Sequence, residues 1–158
     1  MLKNNLNVSK KMKTDYIIRD FRDDDYNKIM ELWIETGLGN PERGDNLDTI
    51  IKSLKHNGAF FVMEQPSTKK IIGTSWITND SRRLYLHHFG IKPEFQGQKL
   101  AKPLLEKSLI FAKQKKLQIK LEVHKDNFKA VNLYSKAGFT YLGDYDVYII
   151  RNYNNINL

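Results

Sequence analysis

Two stretches of the chain combine residue types and spacings that chemistry can use. The first is Ile91-Lys92-Pro93-Glu94-Phe95-Gln96-Gly97-Gln98-Lys99-Leu100-Ala101. It reads as a strand end, a tight turn and the start of a long helix. Free N–H groups at such a helix start carry partial positive charge and suit an anion such as a pyrophosphate. Gly97 lets the backbone approach a ligand, and Lys99 and Lys102 add charge. Taken alone, a glycine-containing turn of this kind is equally a structural device. The second stretch runs from Lys120 to Phe139. Asn127 lies just past a strand and opens a helix, and Tyr134 follows two turns later on the same face. By itself Asn127 reads as a cap and Tyr134 as a core residue. His87 and His88 are the only histidines on the strand Leu84–Ile91, where an imidazole can act as a base near neutral pH.

The elements that must position these residues follow from periodicity. Tyr16–Ile18 reads as a first strand. Asp23, Asp24 and Asp25 favour a helix N-terminus. Tyr26, Ile29, Met30 and Trp33 then form one apolar stripe that Gly37 ends. A polar loop over 37–46 leads to a second stripe, Leu47, Ile50, Ile51 and Leu54, stopped by Asn57-Gly58. Ala59–Glu64 and Ile71–Thr78 read as a hairpin around Pro66–Lys69. Leu84–Ile91 follows as a third strand of that group. The longest helix is expected to begin close to Gln98 or Lys99, because Pro103 is tolerated only near a helix start. Ala101, Leu104, Leu105, Ser108, Leu109 and Ala112 share its inner face. Ile119–Val123 is a strand. A short helix capped by Asn127 or Asp126 runs to Lys136 and is closed by Gly138. Phe139–Leu142 and Val147–Ile150 are expected to form a last hairpin. The order β-α-α-β-β-β-α-β-α-β-β predicts a mixed sheet of the α+β class and excludes a doubly wound parallel sheet.

With 158 residues the chain predicts a single domain over 14–158. Hydrophobic residues at 41% and charged residues at 28% exclude a disordered or collagen-like chain. No apolar run has the length of a membrane span. The absence of cysteine excludes disulfides, thiolate catalysis and thiolate metal sites. The first 13 residues contain Lys3, Lys10, Lys11 and Lys13 without an acid, half of the formal net charge of +8. They are expected to be a disordered basic tail, and without an apolar signal core the default location is cytoplasmic.

Together, the two stretches resemble the GNAT superfamily of acyl-coenzyme A-dependent N-acyltransferases. The family's turn, hydrophobic-x-Pro-x-x-[Gln/Arg]-x-x-Gly-x-[Gly/Ala], is similar to Ile91-x-Pro93-x-x-Gln96-Gly97-Gln98-Lys99-Leu100-Ala101. Its later motif is matched by Asn127, Ala130, Leu133, Tyr134, Lys136, Gly138 and Phe139. The resemblance covers roughly Tyr16 to Tyr148. It implies a mostly antiparallel central sheet of about six to seven strands with about four helices. It implies acetyl-CoA as co-substrate, no metal, and a small-molecule or peptide amine as acceptor. The backbone of Phe89, Gly90 and Ile91 would pair with the pantetheine arm. The N–H groups around Gln96, Gly97, Gln98, Lys99, Leu100, Ala101 and Lys102 would hold the pyrophosphate. Asn127 would bond the pantetheine chain, and Tyr134 would protonate the departing thiolate as a general acid. One departure is Lys99, where the family has its central glycine. A left-handed conformation there would strain a lysine by about 1 kcal/mol. A position already helical would accept it freely, and this second conformation is the expectation.

Direct attack by the amine is the economical path without a cysteine. In the family, acid–base groups stand on the strand Leu84–Ile91 at the parity of Tyr85 and His87. Simple alternation puts Tyr85, His87, Phe89 and Ile91 on one face and His88 and Gly90 on the other. His87 is therefore the candidate base, directly or through water, or else a hydrogen-bonded sheet histidine. Tyr85 and Arg43 are candidate acceptor contacts. Arg43 could clamp a carboxylate or pair with Asp45, which could itself cap the second helix. A homodimer is compatible with the resemblance, and a membrane partner is not expected. Two other classes compete: a GNAT-like module that binds acyl-CoA without catalysis, and a small basic nucleic-acid-binding protein.

Overall fold

Five strands hydrogen-bond in the order β1-β2-β3-β4-β5, so the sheet follows the order of the chain. The computed structural model describes residues 15–152, 154 and 156, and the expected basic tail over 1–13 lies outside them. The elements are β1 (Ile17–Asp20), α1 (Tyr26–Thr36), α2 (Leu47–Lys55), β2 (Ala59–Gln65), β3 (Lys70–Asn79), β4 (Arg83–Ile91), α3 (Ala101–Lys115), β5 (Gln118–Leu121) and α4 (Phe128–Lys136). The first three pairings are antiparallel, and β4 with β5 is parallel. Four helices and a mostly antiparallel sheet make this the α+β arrangement expected. The described residues fall into two compact units divided between Glu122 and Val123.

In the first unit, α1 and α2 bury their stripes on one sheet face. The cluster there comprises Ile29, Leu32, Trp33, Ile50, Phe60, Val62, Ile71 and Trp76. Trp33, Phe60 and Trp76 stack with ring centroids 5.9–6.1 Å apart. Gly37 ends α1 in the left-handed conformation, φ 68°, as the sequence predicts. On the other face α3 presents Leu104, Leu105, Ser108 and Ala112, all buried. The Ser108 hydroxyl lies 2.7 Å from that of Ser75 on β3, so two buried polar groups satisfy each other. At the sheet's β1 edge, Arg19 joins Asp25 at 2.7 Å and also holds Glu64.

Two expectations are corrected. Helix α3 begins at Ala101 rather than at Gln98 or Lys99, because Gly97 (φ 77°) and Lys99 (φ 63°) both take the left-handed conformation and keep the turn out of the helix. The sheet has five strands among the described residues, since 139–150 form no ladder. Apolar and β-branched residues there favour extended backbone, but a strand also needs a hydrogen-bonded neighbour. Tyr141, Tyr145, Val147, Tyr148, Ile149 and Ile150 are instead exposed.

In the second unit, the Asn127 side chain accepts from the Ala130 N–H at 3.2 Å and caps α4. Gly138 follows the helix at φ 97°. No helix among the described residues is long and apolar enough to cross a membrane.

Candidate active site

A β-bulge in the middle of β4 organises the site in the first unit. Trp76 pairs with His87, and Thr74 pairs with Gly90, so Ser75 faces two residues, His88 and Phe89. His88 takes φ 42°, rare for a residue with a side chain. Its carbonyl accepts from the Thr74 hydroxyl at 2.9 Å, and that hydroxyl accepts from Trp33 Nε1 at 3.0 Å. This buried relay compensates the backbone group that the bulge takes out of the ladder.

The bulge corrects the expected alternation. Tyr85 and His87 share a face as predicted, their rings stacked 4.0 Å apart. His88 joins that face instead of opposing it, with its ring 4.3 Å from Trp33 and 5.3 Å from Trp76. Beyond the bulge the parity is reversed. A Cβ on Gly90 would meet Leu38, whereas Ile91 reaches toward Gly73 and Leu104 on the α3 side.

His87 Nε2 lies 2.8 Å from the Thr78 hydroxyl. Burial, then the charge of His88, push its pKa down to about 4, with Lys120 adding to the effect and Asp45 opposing it. The imidazole is therefore neutral across the physiological range, and a weaker base than one poised near neutrality. Tyr85 is held protonated, first by burial and then by its hydrogen bond to the Glu122 carboxylate. Sequence reasoning missed Thr78, Lys120 and Glu122. Register supplies the signal: Thr78 pairs with Tyr85 on one side, and Lys120 pairs with it on the other.

His88 Nε2 is 3.1 Å from Asp45 Oδ2. The contact is close but misaligned, and the ring nitrogens make no hydrogen bond among the described residues. Asp45 is buried and accepts from the Asn40 N–H at 2.7 Å. The cap of α2 is Asn46, not Asp45, through a 2.9 Å bond from the Thr49 N–H. Arg43 sits exposed on a 3-10 turn, Pro41–Arg43, and pairs with no carboxylate among the described residues.

The turn after β4 is braced from both ends. Lys92 N–H donates to the Ile72 carbonyl at 2.8 Å, and its ammonium is 3.1 Å from Glu35. Gln96 Nε2 reaches back to the Ile91 carbonyl at 3.0 Å. The first-turn N–H groups of Ala101 and Lys102 have no carbonyl one turn earlier to serve within the helix. Pro103 brings no N–H and so adds no further donor to satisfy. A Cβ added at Gly97 would meet nothing within 4 Å, so the turn opens on space that a phosphate group can fill. The chemistry of this donor set fits a pyrophosphate.

Lys99 is left-handed, contrary to expectation, and carries the strain of a non-glycine residue there. Lys99→Gly should raise stability by less than about 1 kcal/mol, because relief of the left-handed strain is partly offset by the freedom glycine gains in the unfolded chain. Calorimetric melting checks this, and a lowered midpoint would show that lysine is accommodated without strain.

The β4–β5 pairing runs to Leu86↔Leu121, and β4 extends past it. Gly90 and Ile91 lie on that extension. In the second unit Tyr134 is buried, its ring 5.7 Å from Phe139 in an edge-on contact. Burial pushes its phenol up to about 12. Among the described residues no cluster of three or more histidine, aspartate or glutamate side chains is arranged to hold a metal ion.

The model of the Acetyltransferase (GNAT) family matches residues 17–139, most of the chain, and the chain belongs to that family. The fold is found in solved structures of low sequence identity. A GNAT-family acetyltransferase from Staphylococcus aureus Mu50 superposes with a TM-score of 0.71 at 20% identity, covering 84% of this chain and 89% of that one. Glucosamine-6-phosphate N-acetyltransferase from Arabidopsis thaliana gives 0.67 at 16%, covering 88% and 99%. AAC(6')-Iy, solved with the bisubstrate analogue CoA-S-monomethyl-acetylneamine, gives 0.69 at 16%, covering 87% and 98%. Acetyl-CoA is the co-substrate of this family.

Proposed function

We propose that this protein transfers an acetyl group from acetyl-CoA directly to a primary amine. The observation that carries this is the turn Gln96–Ala101, with two left-handed residues immediately before α3, in a chain of the GNAT family. Gly97, Lys99, Leu100, Ala101 and Lys102 offer backbone N–H groups to the pyrophosphate, and Gln96 braces the turn through its side chain. Gln98 and Phe89 belong to the same coenzyme-binding segments. Gly90 and Ile91 offer the strand edge to the pantetheine amides. Asn127 keeps its side-chain NH₂ for the pantetheine chain while its oxygen caps α4.

The reaction forms a C–N bond and breaks the C–S bond of the thioester. The amine nitrogen loses a proton, and the leaving sulfur gains one. A lysine-like amine has a pKa of about 10.4, so it must lose its extra proton before it attacks. His87 accepts the proton through water, with Thr78 fixing its ring. Tyr134 stays protonated at any physiological pH and supplies the proton to sulfur. No cysteine is present to form a thiol acyl-enzyme. Arg43 and Tyr85 are assigned to the acceptor side.

Calorimetric titration with acetyl-CoA, against free CoA as control, tests the assignment. Binding in the micromolar range is expected. An absence of heat at millimolar coenzyme would sink the assignment and leave a GNAT-shaped module acting through a partner.

A further inference from the structure

Across β3, β4 and β5 a row of side chains runs along the sheet face that carries His87. Lys120 Nζ lies 4.6 Å from the centre of the Tyr85 ring, Tyr85 stacks on His87, and His87 is 5.7 Å from Trp76. A cavity of about 280 Å³ opens there, lined by Thr78, Asp80, Arg83, Tyr85, His87 and Lys120, with Leu84. Arg83 is two residues before Tyr85, so strand alternation puts it on the same face. The cavity thus has His87 toward one end, Arg83 toward the other, and Lys120 between them at the level of Tyr85.

Two acids stand at this cavity, and each is already engaged by a donor. Asp80 accepts from the N–H groups of Arg82 and Arg83 at 2.8 and 2.5 Å, closing the turn before β4. Glu122 accepts from the Tyr85 phenol. The cations are not committed in this way. Neither Arg83 nor Lys120 pairs with a carboxylate among the described residues, although both line the cavity. Two cationic side chains with unused N–H donors at one cavity can together hold an anion.

Resting on the acetyl-transfer function proposed above, we infer that the acceptor is an amine that itself carries an anionic group, a carboxylate or a phosphate. The anion sits between Lys120 and Arg83, and the amine reaches toward His87. Lys120 and His87 are two residues apart in register, about 7 Å along the strands. Compact amino acids or amino phosphates fit that separation. Polyamines would bring more positive charge to two cations and are disfavoured.

The test uses the full chain labelled with ¹³C on histidine, with the His87 ring resonance assigned by its loss in His87→Gln. Inorganic phosphate and acetate are titrated separately at neutral pH, with chloride balancing ionic strength. A saturable shift of the His87 resonance is expected with at least one of them. Lys120→Met and Arg83→Met should each weaken that binding about tenfold, as expected for losing a charged hydrogen bond. Arg82→Met, with the same charge change one residue away, should not. Saturation by phosphate alone points to a phosphorylated amine, and by acetate alone to an amino acid. No saturable shift, or a shift indifferent to Lys120 and Arg83, overturns the inference. Acetyl-CoA titration of the same samples separates the two proposals. Normal coenzyme binding without an anion response removes the anionic acceptor and leaves acetyl transfer standing. An anion response without coenzyme binding overturns acetyl transfer, and with it the assignment of the anion to an acceptor.

Discussion

Replacing Tyr134 by phenylalanine should lower the turnover number by about 10²–10⁴-fold, the usual contribution of a positioned general acid. The affinity for acetyl-CoA should change little. The hydroxyl is lost but the ring is not, so the edge-on contact with Phe139 persists and α4 keeps its buried anchor. The physical need is specific. A thiolate leaves more readily when protonated as it departs, and a phenol held at about 12 still carries its proton at every pH at which the enzyme would work. Steady-state kinetics read by thiol release, with calorimetry of coenzyme binding, give the two quantities. Unchanged turnover would remove Tyr134 from the chemistry, and a parallel loss of coenzyme affinity would make its role one of packing.

Arg19→Met should cost about 3–5 kcal/mol of folding stability, since it strips the cation from two buried carboxylates. Arg19 donates to both oxygens of Asp25 and to Glu64, and all three side chains are at most 14% exposed. Burial pushes the Asp25 carboxyl up, but Arg19 and the Arg22 N–H together outweigh it and hold it below the usual range. Glu64 is held down by Arg19 first and by Lys69 as well. The sign of the pH dependence follows. In the wild type these depressed carboxyls bind fewer protons folded than unfolded, so their stabilisation is present above the ordinary carboxylate range and is lost as pH falls through it. In Arg19→Met burial acts on Asp25 with its main counterion gone, and its carboxyl should titrate above the ordinary range. Stability of the variant should then decline as pH rises from 4 toward 7, where the wild type holds steady. Urea unfolding across that range measures both slopes, and parallel curves would show that the network contributes nothing particular.

The order of elements was legible because α1, α2 and α3 carry clean helical stripes and Gly37 marks a stop. The candidate turn and Tyr134 were legible through their motifs. Three features were not. At Lys99 the family's glycine hinted at a left-handed backbone, but lysine itself argues for the helical one, and the turn on both sides of it decides. The bulge at His88 depends on a mismatch between β3 and β4, which no single strand displays. The expected hairpin over Phe139–Leu142 and Val147–Ile150 failed for a related reason: propensity resides in each residue, but a ladder resides in the pair. Lys120 and Thr78 became visible as candidates only once register set them on either side of Tyr85.

The bulge also determines how this chain tolerates changes of length. Deleting His88 would abolish the bulge and its contact with Asp45, but the flanks of β4 would keep their phase, with His87 and Gly90 still facing α1. Deleting Leu86 instead would be absorbed only by turning His87 over to the α3 face. An insertion that displaced Gly90 would bring a Cβ within 2.5 Å of Leu38 Cδ1, and the Leu38 side chain would have to move aside. Within one nine-residue strand, a deletion would therefore be survivable at His88 and disruptive two residues earlier.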